Sequence, residues 1–492
     1  LLFRRKPKVK RSLPRKIING FIYFGIGIII ALIALFAISQ TSTFREWFRD
    51  KIITTVNGSI NGYFSIGSVD GTIFSSLILN DVVLTQSPDT IFYSEKIDVR
   101  LSILEIFFKT IYFRKIEIDN AQINLLKDQE GRLNISKLIL PSEEEVDTTS
   151  GAFNFKIQVA DLSLNNIDFK IQSFENYYSN KVYKNLNSDD FQIKKMSLAL
   201  SAFIDPAGKK VNVDLKNLSA NTNLEGFHLK NLSGNFIIEG DALKATGLTI
   251  ETSRSNITLN ASMKKFPVMG GGEINIEKAP LFLDLNTNDF NFGDLTNFIP
   301  STQLLQGAVR TRVSANGTLR ALTLSDLIVS FNETHLRAKG ELRNIIHSEK
   351  MQIDVTFNGS KINPADADSL LKDIDLPVYK DYGVMQFDTL YFQGNPLNFV
   401  SGMYVQTNKG KFKGKVDLNL AQEDMIYDVL LNTVNIDLQP VLGFPTNLTG
   451  NLQIKGTGTE PNRMKNQITF RAGASKIQNR NYQVLRANVI AH

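Results

Sequence analysis

The chain has 492 residues, 42% of them hydrophobic and 21% charged, with 33 Phe, one Trp and no Cys. The absence of cysteine excludes disulfides, thiolate catalysis and Cys-based zinc sites together. The formal charge is +6, yet Arg4, Arg5, Lys6, Lys8, Lys10, Arg11, Arg15 and Lys16 supply eight positive charges with no acid among them, so the remainder carries −2 and no nucleic-acid surface is expected.

That basic tail, residues 1–16, leads into Ile17–Ile38, where no charge interrupts the run between Lys16 and Arg45. Twenty-two mostly apolar residues rise roughly 30 Å as a helix, the thickness of a bilayer's hydrocarbon core. Basic flanks stay cytoplasmic, so the bulk is expected across the membrane. A cleaved signal is the alternative, but signal cores are ~7–15 residues long and Ala37-Ile38-Ser39 is a weak cleavage match. Gly20, Gly25 and Gly27 also suit a membrane helix better than a soluble one. The reading is a single-pass membrane anchor with the bulk of the chain across the membrane.

Residues 43–60 follow at helical spacing, with Phe44, Trp47, Phe48, Ile52 and Val56 on one face and charges between them. Thr43, three residues before Glu46, is the expected cap, and the helix should end near Asn57-Gly58. It reads either as a plug for one end of a β domain or as an interfacial helix, with Phe44, Trp47 and Phe48 at the membrane entry.

From Tyr63 the period becomes 2. An N-terminal β segment, 61–140, precedes an acidic loop, 141–151, and then repeating β structure over 152–492. Apolar residues alternate with polar ones at Phe153, Phe155, Ile157 and Val159, and after a break at Ile167, Phe169 and Ile171. Val213 and Leu215 behave likewise, as do Ile274 and Ile276, Ile353, Val355 and Phe357, Val416 and Leu418, and Leu452 and Ile454. Such alternation means strands with one apolar face, and turn residues every 8–15 positions link them as hairpins. Ser173–Asp190 reads as a long loop. Short helix-like units begin at Phe292, Ile362 and Ile436, and a strand follows each, which marks a stacked repeat.

An active site is not expected. His228, His335, His347 and His492 have no metal-ligand spacing, Gly456-Thr457-Gly458 reads as a turn, and Asp70, Asp81, Asp98 and Asp119 read as a solvated face. No cofactor or metal is expected, and no enzyme. At roughly 13 residues per strand and turn, about 430 residues give ~33 strands spaced ~4.8 Å apart, far beyond one globular core. The fold expected is mainly β: a transmembrane helix, a short amphipathic helix, then a long antiparallel meander curled into an elongated apolar groove.

IGSVDGTIFSSLILNDVVL (Ile66–Leu84), KIDVRLSILEIFF (Lys96–Phe108) and RKIEIDNAQINLLKDQEGRLNISKL (Arg114–Leu138) together resemble the TamB / AsmA-like family of Gram-negative envelopes. The resemblance covers nearly the whole chain but rests on hydrophobic patterns and a few glycines. The chain starts at Leu1 rather than Met and stops in a strand-like run, which reads as part of something longer; the family's C-terminal domain has no counterpart, so its docking role is not carried over. The resemblance implies phospholipid carriage between inner and outer membrane along a β-groove, with an outer-membrane β-barrel protein of the TamA type as a further partner. The alternatives are assembly of outer-membrane barrel proteins by strand addition and a structural envelope spacer.

Overall fold

The computed structural model describes residues 23–491, apart from 24, 25, 28, 29, 31, 32, 35, 73–74, 139–153, 178, 267–274, 304, 371–379, 423 and 459–463. The basic tail, the acidic loop 141–151, Phe153, Ile274, His492 and most of 17–38 lie outside the described residues. Among the described residues no helix is long and apolar enough to cross a membrane. Those of 23–38 that are described are helical, and Tyr23, Ile26, Ile30, Ile33, Phe36 and Ile38 are exposed.

Two compact units divide the chain: Leu1–Ser150 with Ile157–Tyr177, and Gly151–Lys156 with Tyr178–His492. The boundary at Tyr177 falls within the loop expected over Ser173–Asp190.

The first unit begins with α1 (Ser42–Asn57), capped by Thr41 and not Thr43. The Thr41 hydroxyl accepts the Phe44 amide at 3.3 Å, satisfying one free N–H of the first turn. Strands β1 (Tyr63–Thr72), β2 (Ser76–Gln86), β3 (Asp89–Ser102) and β4 (Thr110–Lys127) pair antiparallel in chain order. α1 runs antiparallel along β1. Asn57 exchanges hydrogen bonds with the Phe64 backbone, Arg49 donates to the Gly67 carbonyl, and Arg45 lies 3.7 Å from Asp70. Phe48, Ile52 and Ile53 pack on buried Ile66, Val69 and Val82, so the amphipathic stripe is spent on the sheet.

β5 (Lys156–Ser173) reaches β4 through side chains, Asn165 donating to Asp119 and Asn166 to Asn120. It is one strand where the sequence reads as two. Asn166 has φ 57, and a left-handed residue inside a strand breaks the alternation locally. Phe155, expected within this strand, precedes it and is half-buried.

The second unit holds β6 (Asp190–Asp205), β7 (Lys210–Thr222), β8 (His228–Glu239), β9 (Ala242–Thr252), β10 (Asn256–Met263), β11 (Leu281–Asn291), β12 (Ala308–Thr318), β13 (Ala321–Phe331), β14 (Thr334–Arg343) and β15 (Gln352–Ile362). It continues with β16 (Met385–Asn395), β17 (Asn398–Thr407), β18 (Gly410–Asn419), β19 (Ile426–Ile436), β20 (Thr446–Thr457), β21 (Lys465–Ala472), β22 (Ser475–Ile477), β23 (Arg480–Tyr482) and β24 (Leu485–Ala491). From β6 to β21 each strand pairs antiparallel with the next. β24 then adds to β21, while β22 and β23 form a small hairpin against β20. The described residues hold 24 strands, fewer than the ~33 expected from about 13 residues per strand and turn, because several connections are long, such as residues 292–307 between β11 and β12.

Between β11 and β20 every fourth connection carries a short helix. α2 (Phe292–Phe298) follows β11, α3 (Pro364–Leu370) follows β15, and α4 (Gln439–Leu442) follows β19. Each is pinned by an aspartate. Buried Asp294 accepts from Thr252, Ser255 and Arg254, and buried Asp366 accepts from Thr334 and the Glu333 amide. Asp437 accepts from the Thr446 and Gln439 amides and from Lys409. In all three the carboxylate reaches back to the preceding hairpin turn on the same edge, so the four-strand unit is closed by a polar clasp that its sequence repeats. Gly317 in β12 and Gly394 in β16 both have φ 132, and a Cβ on either would collide with the carbonyl of Ala321 or Asn398 across the hairpin. Only glycine fits there.

Candidate functional site

Antiparallel partners share a face, so the strand register decides which side chains line one surface. In the second unit the register builds rows. Val213 lies opposite Ala202 and Phe236, and from Phe236 the row continues through Ala245, Ala261, Leu283, Ala315 and Leu324 to Gly340. It then passes Val355, Phe392, Ser401, Val416, Val429, Ile454 and Ile468 and ends at Val489 on β24. Phe357 and Leu452 belong to the neighbouring row: Phe357 lies opposite Ala338 and Leu390, and Leu452 opposite Leu431 and Phe470. Leu215, two residues from Val213, sits on that side too. Ile353, between Leu342 and Gly394, and Leu418, between Phe399 and Tyr427, form the row on the other side. The structure therefore places Val213, Leu215, Ile353, Val355, Phe357, Val416, Leu418, Leu452 and Ile454 on one apolar face of one unit.

Other sequence-selected positions fall elsewhere. Ile276 is not in a strand. It opens the 3-10 turn Ile276–Lys278 and is exposed. The Asn275 side chain accepts the Lys278 amide and Pro280 follows, so local capping overrides the apolar alternation. Ile157 and Val159 lie on β5 of the first unit, where Val159 is buried. Phe48 packs under α1, Phe44 is half-buried with its ring 5.6 Å from that of Trp47, and Trp47 is exposed.

The face deepens into a cavity of about 460 Å³, within the size range of small-molecule sites. Met403, Leu431, Leu452 and Phe470 of the second row form its floor, and Phe387 and Phe412 line it nearer the edge that carries the short helices. Tyr382, Ile436, Leu438 and Leu448 close that end, and Tyr382, Ile436 and Leu448 are themselves buried. Among the described residues no charged side chain lines the cavity. Thr433 does, but its hydroxyl lies 3.3 Å from the Leu448 and Gly450 carbonyls and is spent on the backbone. Such a wall would leave a charged ligand desolvated without compensation and accepts hydrocarbon instead. The closing residues escape sequence reasoning because they come from Tyr382 and from both sides of the β19–β20 connection, Ile436 ending β19 and Leu448 lying in β20. The DLQPVLGFP unit at the third repeat was the available signal.

Charge sits on the opposite face and at turns. Lys455 pairs with Asp428 at 2.9 Å. Asp98, expected to be solvated, is buried. Burial pushes its carboxyl up, but hydrogen bonds from Arg100 and Ser76 outweigh that and hold it below the usual carboxylate range. Gly456 and Thr457 close β20 and do not form a turn. His228 begins β8 and His335 is the second residue of β14, both exposed, while His347 lies 3.0 Å from Glu277, which also binds Arg320. Among the described residues no group of three or more His, Asp or Glu could hold a metal ion.

No family model, no curated protein and no solved structure matches this chain.

Proposed function

We propose that this chain carries phospholipid, its acyl chains sliding over the apolar rows of the second unit while headgroups stay in water. No bond is made or broken. In this reading residues 17–38 hold the chain in an inner membrane, the bulk lies in the periplasm, and lipid moves between inner and outer membrane. The observation that carries the reading is the cavity at Leu431, Leu452 and Phe470, lined by no charged side chain among the described residues and continuous with rows that run from β7 to β24. Similar apolar surface at every strand gives a path without deep traps. The family resemblance points the same way and adds an outer-membrane β-barrel protein of the TamA type as the receiving partner.

The test uses adjacent residues on opposite faces. The full chain is purified and its bound lipid read by mass spectrometry for the native protein, Leu452→Asp and Gln453→Asp. Native protein and Gln453→Asp should carry phospholipid, and Leu452→Asp should lose most of it while keeping its circular dichroism. A folded native chain without lipid, or equal loading of the two variants, sinks the proposal. If both variants lower barrel-protein levels in cells with lipid supply unchanged, the assembly reading replaces it.

A further inference from the structure

The first unit carries an apolar tip that lipid carriage does not use. Between β3 and β4 the chain forms a 3-10 helix, Ile103–Phe108, whose Leu104, Phe107 and Phe108 are 72%, 82% and 76% exposed. Three large apolar side chains held this far out of the fold are a solvation liability unless something covers them. Lys109 (φ 55) turns the chain back into β4. Lys109 and Arg114 are exposed and have no ion pair among the described residues; Glu105 is the tip's one acid, and nearby Arg100 and Lys115 are already held by Asp98 and Glu117.

Register fixes which end of the sheet the tip occupies. Thr72 pairs with Ser76 at the β1–β2 turn, Leu77 with Val99, and Ser102 with Tyr112, so the tip extends from the Thr72 end. α1 lies antiparallel on β1 with Arg45 level with Asp70, which puts its N-terminus at that same end. The chain therefore enters α1 from there, directly after the helical residues whose Ile30, Ile33, Phe36 and Ile38 are exposed. Trp47, 59% exposed in the first half of α1, is the kind of residue that sits at headgroup level.

The geometry points to a second membrane contact: Leu104, Phe107 and Phe108 insert into an anionic phospholipid bilayer beside the N-terminal apolar helix, with Lys109 and Arg114 on the headgroups. An apolar tip flanked by free cations matches an interface that is greasy inside and negative at its surface. The inference rests on the membrane placement proposed above, not on lipid carriage.

Because the chain has no cysteine, one introduced thiol is a unique label site. The full-length Phe107→Cys protein, bearing an environment-sensitive dye, is reconstituted with vesicles of phosphatidylcholine and phosphatidylglycerol whose acyl chains carry nitroxide quenchers. Tyr63→Cys, exposed at the opposite end of β1, is the control. The dye at 107 should shift to the blue and be quenched severalfold more than the dye at 63. Lys109→Glu with Arg114→Glu should weaken that quenching, and equal quenching overturns the headgroup contact. A dye at 107 that stays in water overturns the insertion, as does a chain that fails to bind vesicles. A blue shift without vesicles that grows with protein concentration assigns the tip to a second copy instead. Lipid loading of the Leu452→Asp variant is read separately, so failure of the tip leaves the carriage proposal standing.

Discussion

At the scale of single residues, the aspartate clasps are the least replaceable polar groups. Asp294 takes hydrogen bonds at 2.6 Å from Thr252 and Ser255 and an ion pair at 2.7 Å from Arg254. Asp294→Ala removes the acceptor shared by buried Thr252 and Ser255 and the carboxylate partner of half-buried Arg254, which keeps Asn297, and should cost about 2 kcal/mol. Amide exchange should speed up first in the β9–β10 turn, and unchanged exchange there would refute the clasp. Asp128 gives a pH signature. The Lys137 ammonium, with the Arg132 and Glu130 amides, holds its carboxyl at about 2. A folded pKa below the unfolded value of about 3.9 stabilises the turn above that value, and the contribution is lost as pH falls from about 4 to about 2. Protection of the Gly131 and Arg132 amides, which bond to Asp128, should fade across that window and not above it. Asp437 behaves alike in direction: burial raises it, but the Thr446 and Gln439 amides and Lys409 prevail and lower it.

At the scale of elements, the four-strand repeat was legible as spaced helix-like units, and the structure sets α2, α3 and α4 there. What could not be read was how each helix is held, because Asp294 and Thr252 lie 42 residues apart and only folding joins them. Capping also decides details that periodicity misses. Ile276 alternates like a strand residue yet sits in a turn, because Asn275 and Pro280 close the backbone locally. The glycine at the end of β12 is a sharper case. Gly317→Val places a side chain against the Ala321 carbonyl at a φ it avoids, and should lower stability by roughly 2 kcal/mol. Thr323→Val, at an exposed position on the next strand, serves as the control in urea titration; equal midpoints for the two variants would show that the hairpin tolerates a side chain.

At the scale of the whole molecule, each strand of the second unit meets mainly its sequence neighbours, so stability is a sum of local interfaces rather than one core. Buried residues accordingly cluster in separate places, one around Ala315, Leu324 and Val355 and another around Tyr382, Ile436 and Leu448. Heating should then give a calorimetric enthalpy larger than the van't Hoff enthalpy, since two-state melting requires a single cooperative core. A ratio of one would indicate that the repeats melt together. The period of 2 along Val213, Val355, Val416 and Ile454 is a property of extended backbone, so sequence alone determined that each strand has an apolar face. It could not determine that these faces align into rows, or that one row deepens into a cavity. Alignment depends on register, which bulges and left-handed residues reset strand by strand, and the cavity depends on Tyr382, ahead of β16, meeting Leu438 and Leu448 from either side of the β19–β20 connection. Those are long-range choices, made only when the sheet forms.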